Sequence, residues 1–429
     1  MRRLVLLAVA GLLAVAPAAR AAPDPLRPQQ WGLDMIQADP AHQVATGGGA
    51  VVAVIDSGVQ ADHPDLAGRL LPGYDFVDND GTPQDGNGHG THVTGIVAAD
   101  AGNGIGVEGV APGAMVLPVR VLGDDGSGST DAVIAGIDYA VAHHVDVINL
   151  SLGSDVPLVG GSTPDFDQAI DRALDAGIVV VAAAGNSSLP ACDQPSGQGR
   201  LLCVGAVDRN GNRAVYSNFG DGLGISAPGG SGLPLDHDIL STVPPSTYAE
   251  LAGTSQATPH VAAVAALLAS LGLHGQAAVQ RILATARDVG SPGPDSTYGA
   301  GIVDARAAVA GLGAGSGGST GSNGQRSRAG SAARVRIAGV QRIAYVLRHG
   351  LRVTCVAAGR GRCRVRVRLG RRVVGAASRA VRAGRPVIVT ARLNRAARRA
   401  LRRARRARLR VRVALPGAPA IDRTVTLVR

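Results

Sequence analysis

GTSQATPHV, residues 253–261, is the stretch from which the rest of the chain is read. It sets Ser255 on a tight Gly-Thr-Ser turn, just before the apolar helical run VAAVAALLASLGL that starts at Val261. A serine hydroxyl in that position lies near the positive end of a helix macrodipole, where backbone N–H groups can meet a developing oxyanion. The same residues also read as a helix N-cap supplied by Thr254 or Ser255, which is the commoner use of such side chains. The flanking sequence decides between an activated nucleophile and a cap.

Upstream, short β-branched runs alternate with helical ones. Strands are predicted at AVVAVID (50–56), MVLPVRVL (115–122), VDVINLSL (145–152), GIVVVAAAG (177–185) and LLCVGAVD (201–208), with amphipathic helices such as DAVIAGIDYAVAHH and DQAIDRALDA between them. Continuous apolar strands separated by helices predict an α/β unit, a parallel sheet flanked by helices on both faces. Ligands of such sheets sit beyond the carboxyl ends of the strands. Asp56 ends the first strand, Asn186 follows the fourth in AAAGN, and His89 stands in glycine-rich DGNGHGTHVTG before an apolar helix. Singly these are a turn acid, a turn amide and a surface histidine. Together with Ser255 they converge on one edge of the sheet.

A chain of 429 residues allows two or three domains. Residues 1–21, with Arg2, Arg3 and an apolar run from Leu4 to Ala16, read as a secretory signal peptide cut after Ala21. No later stretch is apolar for long enough to cross a bilayer. Export agrees with the four cysteines, which pair locally as Cys192 with Cys203 and Cys355 with Cys363, without zinc-site spacing. The net charge of +11 conceals a division: residues 324–429 hold 30 Arg and one acid, whereas residues 1–323 hold 13 Arg and 31 acids. The high pI belongs to the tail, so the chain as a whole is not a nucleic-acid binder.

VAVIDSGV around Asp56, GHGTHVTG around His89, AAAGN around Asn186 and GTSQATPHV around Ser255 resemble the motifs of subtilisin-like serine proteases, the subtilases. HPDL, GVAPGAMVLPVRVLG, INLSLG, VGAVD and SAPG extend the likeness over most of residues 28–310. The resemblance implies hydrolysis of peptide bonds in proteins or peptides through an acyl-enzyme. Ser255 would be the nucleophile, His89 the general base and acid, and Asp56 the group that orients the imidazole. Asn186 and the Ser255 N–H would hold the oxyanion; the asparagine is worth roughly 3 to 4 kcal/mol, a figure that belongs to this family. No cofactor takes part in that chemistry.

The resemblance also implies that substrate lies as an added strand between Gly126-Ser127-Gly128 and Ser151-Leu152-Gly153, which favours broad endopeptidase activity by a monomer. Asp193 falls where the family often has a small residue at the base of the primary specificity pocket. A carboxylate facing that pocket favours Arg or Lys before the cut, with Asp124 and Asp125 acting in the same sense, whereas an outward Asp193 beside Cys192 leaves no such preference. Structural calcium is a further implication, with Asp65, Asn103 and the carbonyls of Ile105 and Val107 as ligands and Asp24 as an added carboxylate. Few residues separate Ala21 from PQQWGLDMIQA, where many relatives carry a pro-region.

Residues 22–310 are thus expected to form the peptidase unit, 311–332 a Gly/Ser-rich linker, and 333–429 an Arg-rich β domain. Beyond the linker, RVRIAGV, LRVTCVAAG, CRVRVRLG, RPVIVTARL, LRVRVALP and RTVTLVR alternate apolar and polar residues at period two. This predicts a small sandwich of about seven strands, with Cys355 and Cys363 clamping one hairpin and NRAARRALRRARRAR forming a short basic helix. The domain resembles Arg-rich β modules of exported actinobacterial proteins. Its guanidinium groups suit an anionic cell-surface polymer, lipid headgroups or nucleic acid; equally, Arg serves to solubilise the sheet and blunt its edges. Aromatic residues for base stacking are nearly absent, which argues against dedicated nucleic-acid binding. The protein is expected outside the cell, free or associated with the wall.

Overall fold

A computed structural model describes residues 23–152, 164–192, 200–232 and 237–312, and most of 334–428 apart from short stretches within that last span. The proposed signal peptide, most of the linker, Gly153 and Asp193 therefore lie outside the described residues. Seven strands form the first sheet: β1 (Val51–Asp56), β2 (Tyr74–Asp75), β3 (Met115–Arg120), β4 (Val147–Leu150), β5 (Val179–Ala183), β6 (Leu202–Val207) and β7 (Ile225–Pro228). Their order is β2-β3-β1-β4-β5-β6-β7. Every pairing is parallel.

Period-two alternation sorts the strand residues onto two cores. Val52 and Val54 of β1, Val147 of β4 and Val179 and Val181 of β5 face one core, which holds α3 (His89–Ala98) and α6 (Thr254–Ser270). Ala53, Ile55, Ile148, Leu150, Val180 and Ala182 face the other, covered by α4 (Thr130–Ala142) and α5 (Pro164–Asp175). By the same parity Asp56, the last residue of β1, falls on the α3/α6 side. The short helices α1 (Trp31–Met35) and α2 (Ala38–His42) join that core, as do α7 (Gly275–Ala284) and α8 (Ala305–Val309). Helix α6 is apolar on all sides beyond its first turns and every residue from Thr254 to Ala269 is buried, as expected of a helix through the middle of a core. A hairpin of β8 (Ile239–Val243) and β9 (Thr247–Leu251) packs on α3.

The C-terminal region contains two further sheets. β10 (Arg334–Arg336), β12 (Leu351–Val356) and β15 (Pro386–Ala391) form one; β11 (Val340–Arg342), β17 (Ile421–Val428), β16 (Arg406–Ala414), β13 (Gly361–Leu369) and β14 (Arg372–Val381) form the other. Pairing is antiparallel except between β11 and β17. Their inward residues, including Leu351, Val353 and Val389 from one sheet and Val365, Val367, Val411 and Val425 from the other, share one core. Asn394 caps α9 (Arg395–Arg403) by accepting from the Ala397 N–H, and Ala397 and Leu401 anchor the helix.

Two expectations for this region change. Both disulfides form, but Cys355 lies on β12 and Cys363 on β13, so the bridge staples one sheet to the other rather than clamping a hairpin. The residues are buried and inward-facing on opposite layers, a relation that local alternation does not encode. Strand β14, RVVGAASRAV, was not expected; its small residues break the Arg/Val alternation, and the register shifts opposite Val367 and Arg368.

Candidate active site

Asp56 is fully buried at the carboxyl end of β1, and its Oδ1 accepts from the Ser57 N–H at 2.7 Å and from His89 Nδ1 at 2.8 Å. His89 opens α3, and the fit depends on a glycine: a Cβ on Gly90 would collide with the Gly58 carbonyl of the Asp-Ser-Gly turn. The loop is held from beneath by Asp85. Its Oδ1 accepts from Ser57 Oγ and the Asn87 and Gly88 N–H groups, and its Oδ2 from the Thr91 N–H and hydroxyl, all within 3.1 Å. Asp85 was not anticipated, although an acid at the head of DGNGHGT, just before a helix start, is a capping signal.

Burial lowers the pKa of the His89 imidazole, but the Asp56 charge and hydrogen bond, with the more distant Asp85, outweigh it and leave the group above its ordinary value. Its side chain keeps 26 % exposure, so one ring edge faces the cleft. His92 and His260 differ: burial, reinforced at His92 by the other histidines, pushes them down to about 3 and about 4. Both are neutral packing residues, whose rings bond backbone carbonyls.

Ser255 stands in the first turn of α6, 9 % exposed. Pro259, four residues on, has no N–H to give the Ser255 carbonyl. That oxygen instead accepts from Ser151 Oγ at 2.8 Å, while Ser255 Oγ donates to the Ser151 carbonyl at 3.1 Å. Ser151 follows β4, so a reciprocal pair of bonds fixes the α6 turn to the sheet edge. Asn149 adds a bond from Nδ2 to Ser151 Oγ.

Asn186 follows β5. Its Oδ1 accepts from the Thr254 N–H and Thr254 Oγ, each at 2.9 Å, which commits the oxygen and leaves Nδ2 as a donor with no partner among the described residues. A Cβ at Gly253 would press on Gln256 Oε1 at 2.9 Å and lie in van der Waals contact with that Nδ2 at 3.5 Å. Asn218, also unanticipated, braces the loop: its Oδ1 accepts from the Ser187 and Leu189 N–H groups and its Nδ2 donates to the Ala184 carbonyl. Only its spacing in YSNFG hints at this, because the partners lie about 30 residues upstream.

Gly126, Ser127 and Gly128 form a turn folded back on Leu122, with Gly123 N–H bonded to the Ser127 carbonyl. The two acids beside it are already engaged. Asp124 pairs with Arg120, which also holds Asp75 and Asp78, and Asp125 accepts from the Ser127 N–H and hydroxyl. At the proposed calcium residues, Asp65 is fully buried and accepts from Asn103 Nδ2 and the Val107 N–H, each at 2.8 Å. Asp24 accepts from the Gly102 and Gly104 N–H groups of the same loop, and the Ile105 N–H bonds to Asn103 Oδ1. Burial, with the nearby Asp24 charge, raises Asp65 despite its hydrogen bonds. Asp39, His42 and Glu108 form another potential donor cluster among the described residues, but the Arg27 guanidinium already sits among its carboxylates.

A model of the subtilase family matches residues 47–301. The chain is 48 % identical over 244 residues to thermitase from Thermoactinomyces vulgaris, across 57 % of this chain and 83 % of that one. It is 43 % identical over 281 residues to subtilisin Savinase from Lederbergia lenta, across 65 % and 97 %. Among solved structures it resembles a protease from Pseudoalteromonas arctica, with a TM-score of 0.61 at 36 % identity, over 68 % of this chain and 99 % of that one.

Proposed function

The chain belongs to the subtilase family and is a serine endopeptidase; from that premise we propose that Ser255, His89 and Asp56 are its triad and Asn186 its side-chain oxyanion donor. The carrying observation is the 2.8 Å bond from His89 Nδ1 to the buried Asp56 carboxylate, at the sheet edge where α6 begins with Ser255. That bond leaves Nε2 as the basic nitrogen. The Ser255 hydroxyl turns from the Ser151 carbonyl to Nε2, gives up its proton and attacks the scissile carbonyl. Asn186 Nδ2 and the Ser255 N–H stabilise the oxyanion. The imidazolium, held by Asp56, passes the proton to the leaving amine, and water reverses the sequence to release the acid.

Labelling of the purified protein with a fluorophosphonate probe tests this assignment. We expect stoichiometric modification of the wild type and none of Ser255→Ala; equal labelling of a folded Ser255→Ala variant would remove Ser255 from the role.

The donor set around Asp65 fits a hard cation: two buried carboxylates, Asp24 and Asp65, converge on one loop, and the charge of Asp24 adds to the cost of ionising buried Asp65. In the proposed site Asp65, Asn103 and the carbonyls of Ile105 and Val107 would hold calcium, with Asp24 pinning the N-terminal arm. Calcium there would offset buried charge and supply stability only. A chelator is expected to lower Tm by several degrees and added calcium to restore it; an unchanged Tm for calcium-loaded protein would reject the site.

Broad cleavage is the proposed specificity, because the acids beside the substrate turn are engaged by Arg120 and Ser127. Selection for basic residues would rest on Asp193. Export by residues 1–21 and a peptidase unit over 22–310 are part of the same proposal, as is anchoring of the enzyme to an anionic surface polymer by the Arg-rich unit at 333–429.

A further inference from the structure

The outer face of the five-stranded sheet carries an ordered row of guanidinium groups. On β13, Arg362, Arg364, Arg366 and Arg368 are exposed while Cys363, Val365 and Val367 between them are buried. On β16, Arg408, Arg410 and Arg412 are exposed around buried Leu409, Val411 and Val413. The register sets Arg366 directly opposite Arg412 and Arg368 opposite Arg410. Like charges facing one another across a strand pair destabilise a sheet, so stability alone gives no reason for this arrangement.

The strands on either side do not cancel the charge. β14 sets Ala376, Ser378 and Ala380 opposite Arg366, Arg364 and Arg362. From β17 comes the face's one carboxylate among the described residues, Asp422, an exposed group 3.9 Å from Arg412. The result is a stripe two strands wide. Along β13 it extends for roughly 20 Å, with side chains about 6.8 Å apart and the second column about 4.8 Å away.

We propose that this stripe binds a linear polyanion with a phosphate in each repeat, laid along β13 and β16. Arg meets phosphate oxygens through two parallel N–H donors, and its weak hydration favours that exchange. The narrow, elongated shape suits a chain rather than a membrane plane. Val373, opposite Arg368, is the one large apolar side chain exposed on this face among the described residues, too little to enter a bilayer, and Tyr345 is the only Phe, Trp or Tyr from residue 333 onward to stack on a base. Recognition therefore reads backbone charge and spacing. The inference rests on the anchoring role proposed above and gives it a surface and a ligand chemistry.

The test uses the full chain carrying Ser255→Ala, to prevent self-digestion, and long-chain inorganic polyphosphate as the probe. Kd is measured against salt from 50 to 200 mM. Arg366→Thr/Arg368→Thr removes one member of each facing pair; Arg398→Gln/Arg399→Gln removes the same charge from exposed positions of α9. The stripe variant is expected to bind at least tenfold more weakly, with a salt slope smaller by about 1.4, at roughly 0.7 per lost phosphate contact. Its Tm should hold or rise, since a repulsion has been removed, and the α9 variant should change binding little. Equal losses in the two variants would overturn the stripe while leaving an anchoring role, and absence of polyphosphate binding at 50 mM salt would remove both. Equally tight binding to polyglutamate would refute the preference for phosphate. Equally tight binding to phosphatidylglycerol vesicles would assign the face to a lipid surface instead.

Discussion

Three histidines line the first turns of α3 and α6, and their surroundings sort them by charge. His92 and His260 are pushed down to about 3 and about 4, whereas His89 alone of the three is held above the ordinary histidine value. Its neutral form is the base, so kcat/KM should fall as pH drops through the His89 pKa. Because Asp56 raises that pKa, the acid-side midpoint is expected above the ordinary histidine value of about 6.5. Asp56→Asn should lower the midpoint as well as the rate. A pH profile on a peptide anilide checks this; a wild-type midpoint at or below 6.5 would contradict it. The four proposed site residues were legible in the sequence because each closes a strand or opens a helix beside telltale glycines. Asp85 and Asn218 were not singled out, because they act on the backbone of neighbouring loops and their importance lies in bonds that only the fold reveals.

The turn at the head of α6 owes its position to a helix defect. Pro259 withholds one N–H, the freed Ser255 carbonyl takes the Ser151 hydroxyl, and β4 and α6 become tied through residues 104 positions apart. Pro259→Ala would restore a competing donor. It is expected to reduce kcat/KM about tenfold while Tm holds or rises, since an interior helix proline costs about 3 kcal/mol or more. Ser151→Ala should reduce kcat/KM similarly but lower Tm, through the loss of buried hydrogen bonds. Steady-state kinetics with thermal melts of both variants decide it; full activity in Pro259→Ala would deny the tie any positioning role. Five of the seven strands of the parallel sheet were readable because their runs are continuous and apolar; β2 and β7, at its two edges, are too short to offer such a run. In the C-terminal region β14 escaped because Ala, Gly and Ser do not alternate in hydropathy; the Cys355–Cys363 pairing was legible, but its role as a staple between sheets was not, because sequence proximity does not reveal which sheet a strand joins.

At the scale of the molecule, acidic and basic residues are segregated along the chain, with a net −18 over residues 1–323 and +29 over 324–429. The proposed triad, oxyanion donor and calcium residues lie before residue 311, and the C-terminal sheets close over their own core. Truncation after Gly311 is therefore expected to leave casein hydrolysis within about twofold of the full chain; loss of activity in a soluble, folded truncation would mean that the tail completes the peptidase. The sequence made the charge division plain by counting alone, whereas the guanidinium stripe needed strand register to appear. The disulfides carry one more consequence. A protease in solution is among its own substrates, and surface loops are where its chain is cut. Scission between Cys192 and Cys203, or between Cys355 and Cys363, would leave the two pieces joined by a bridge. The nicked molecule would remain a single covalent body, so damage at either place would be mended in effect before it was felt.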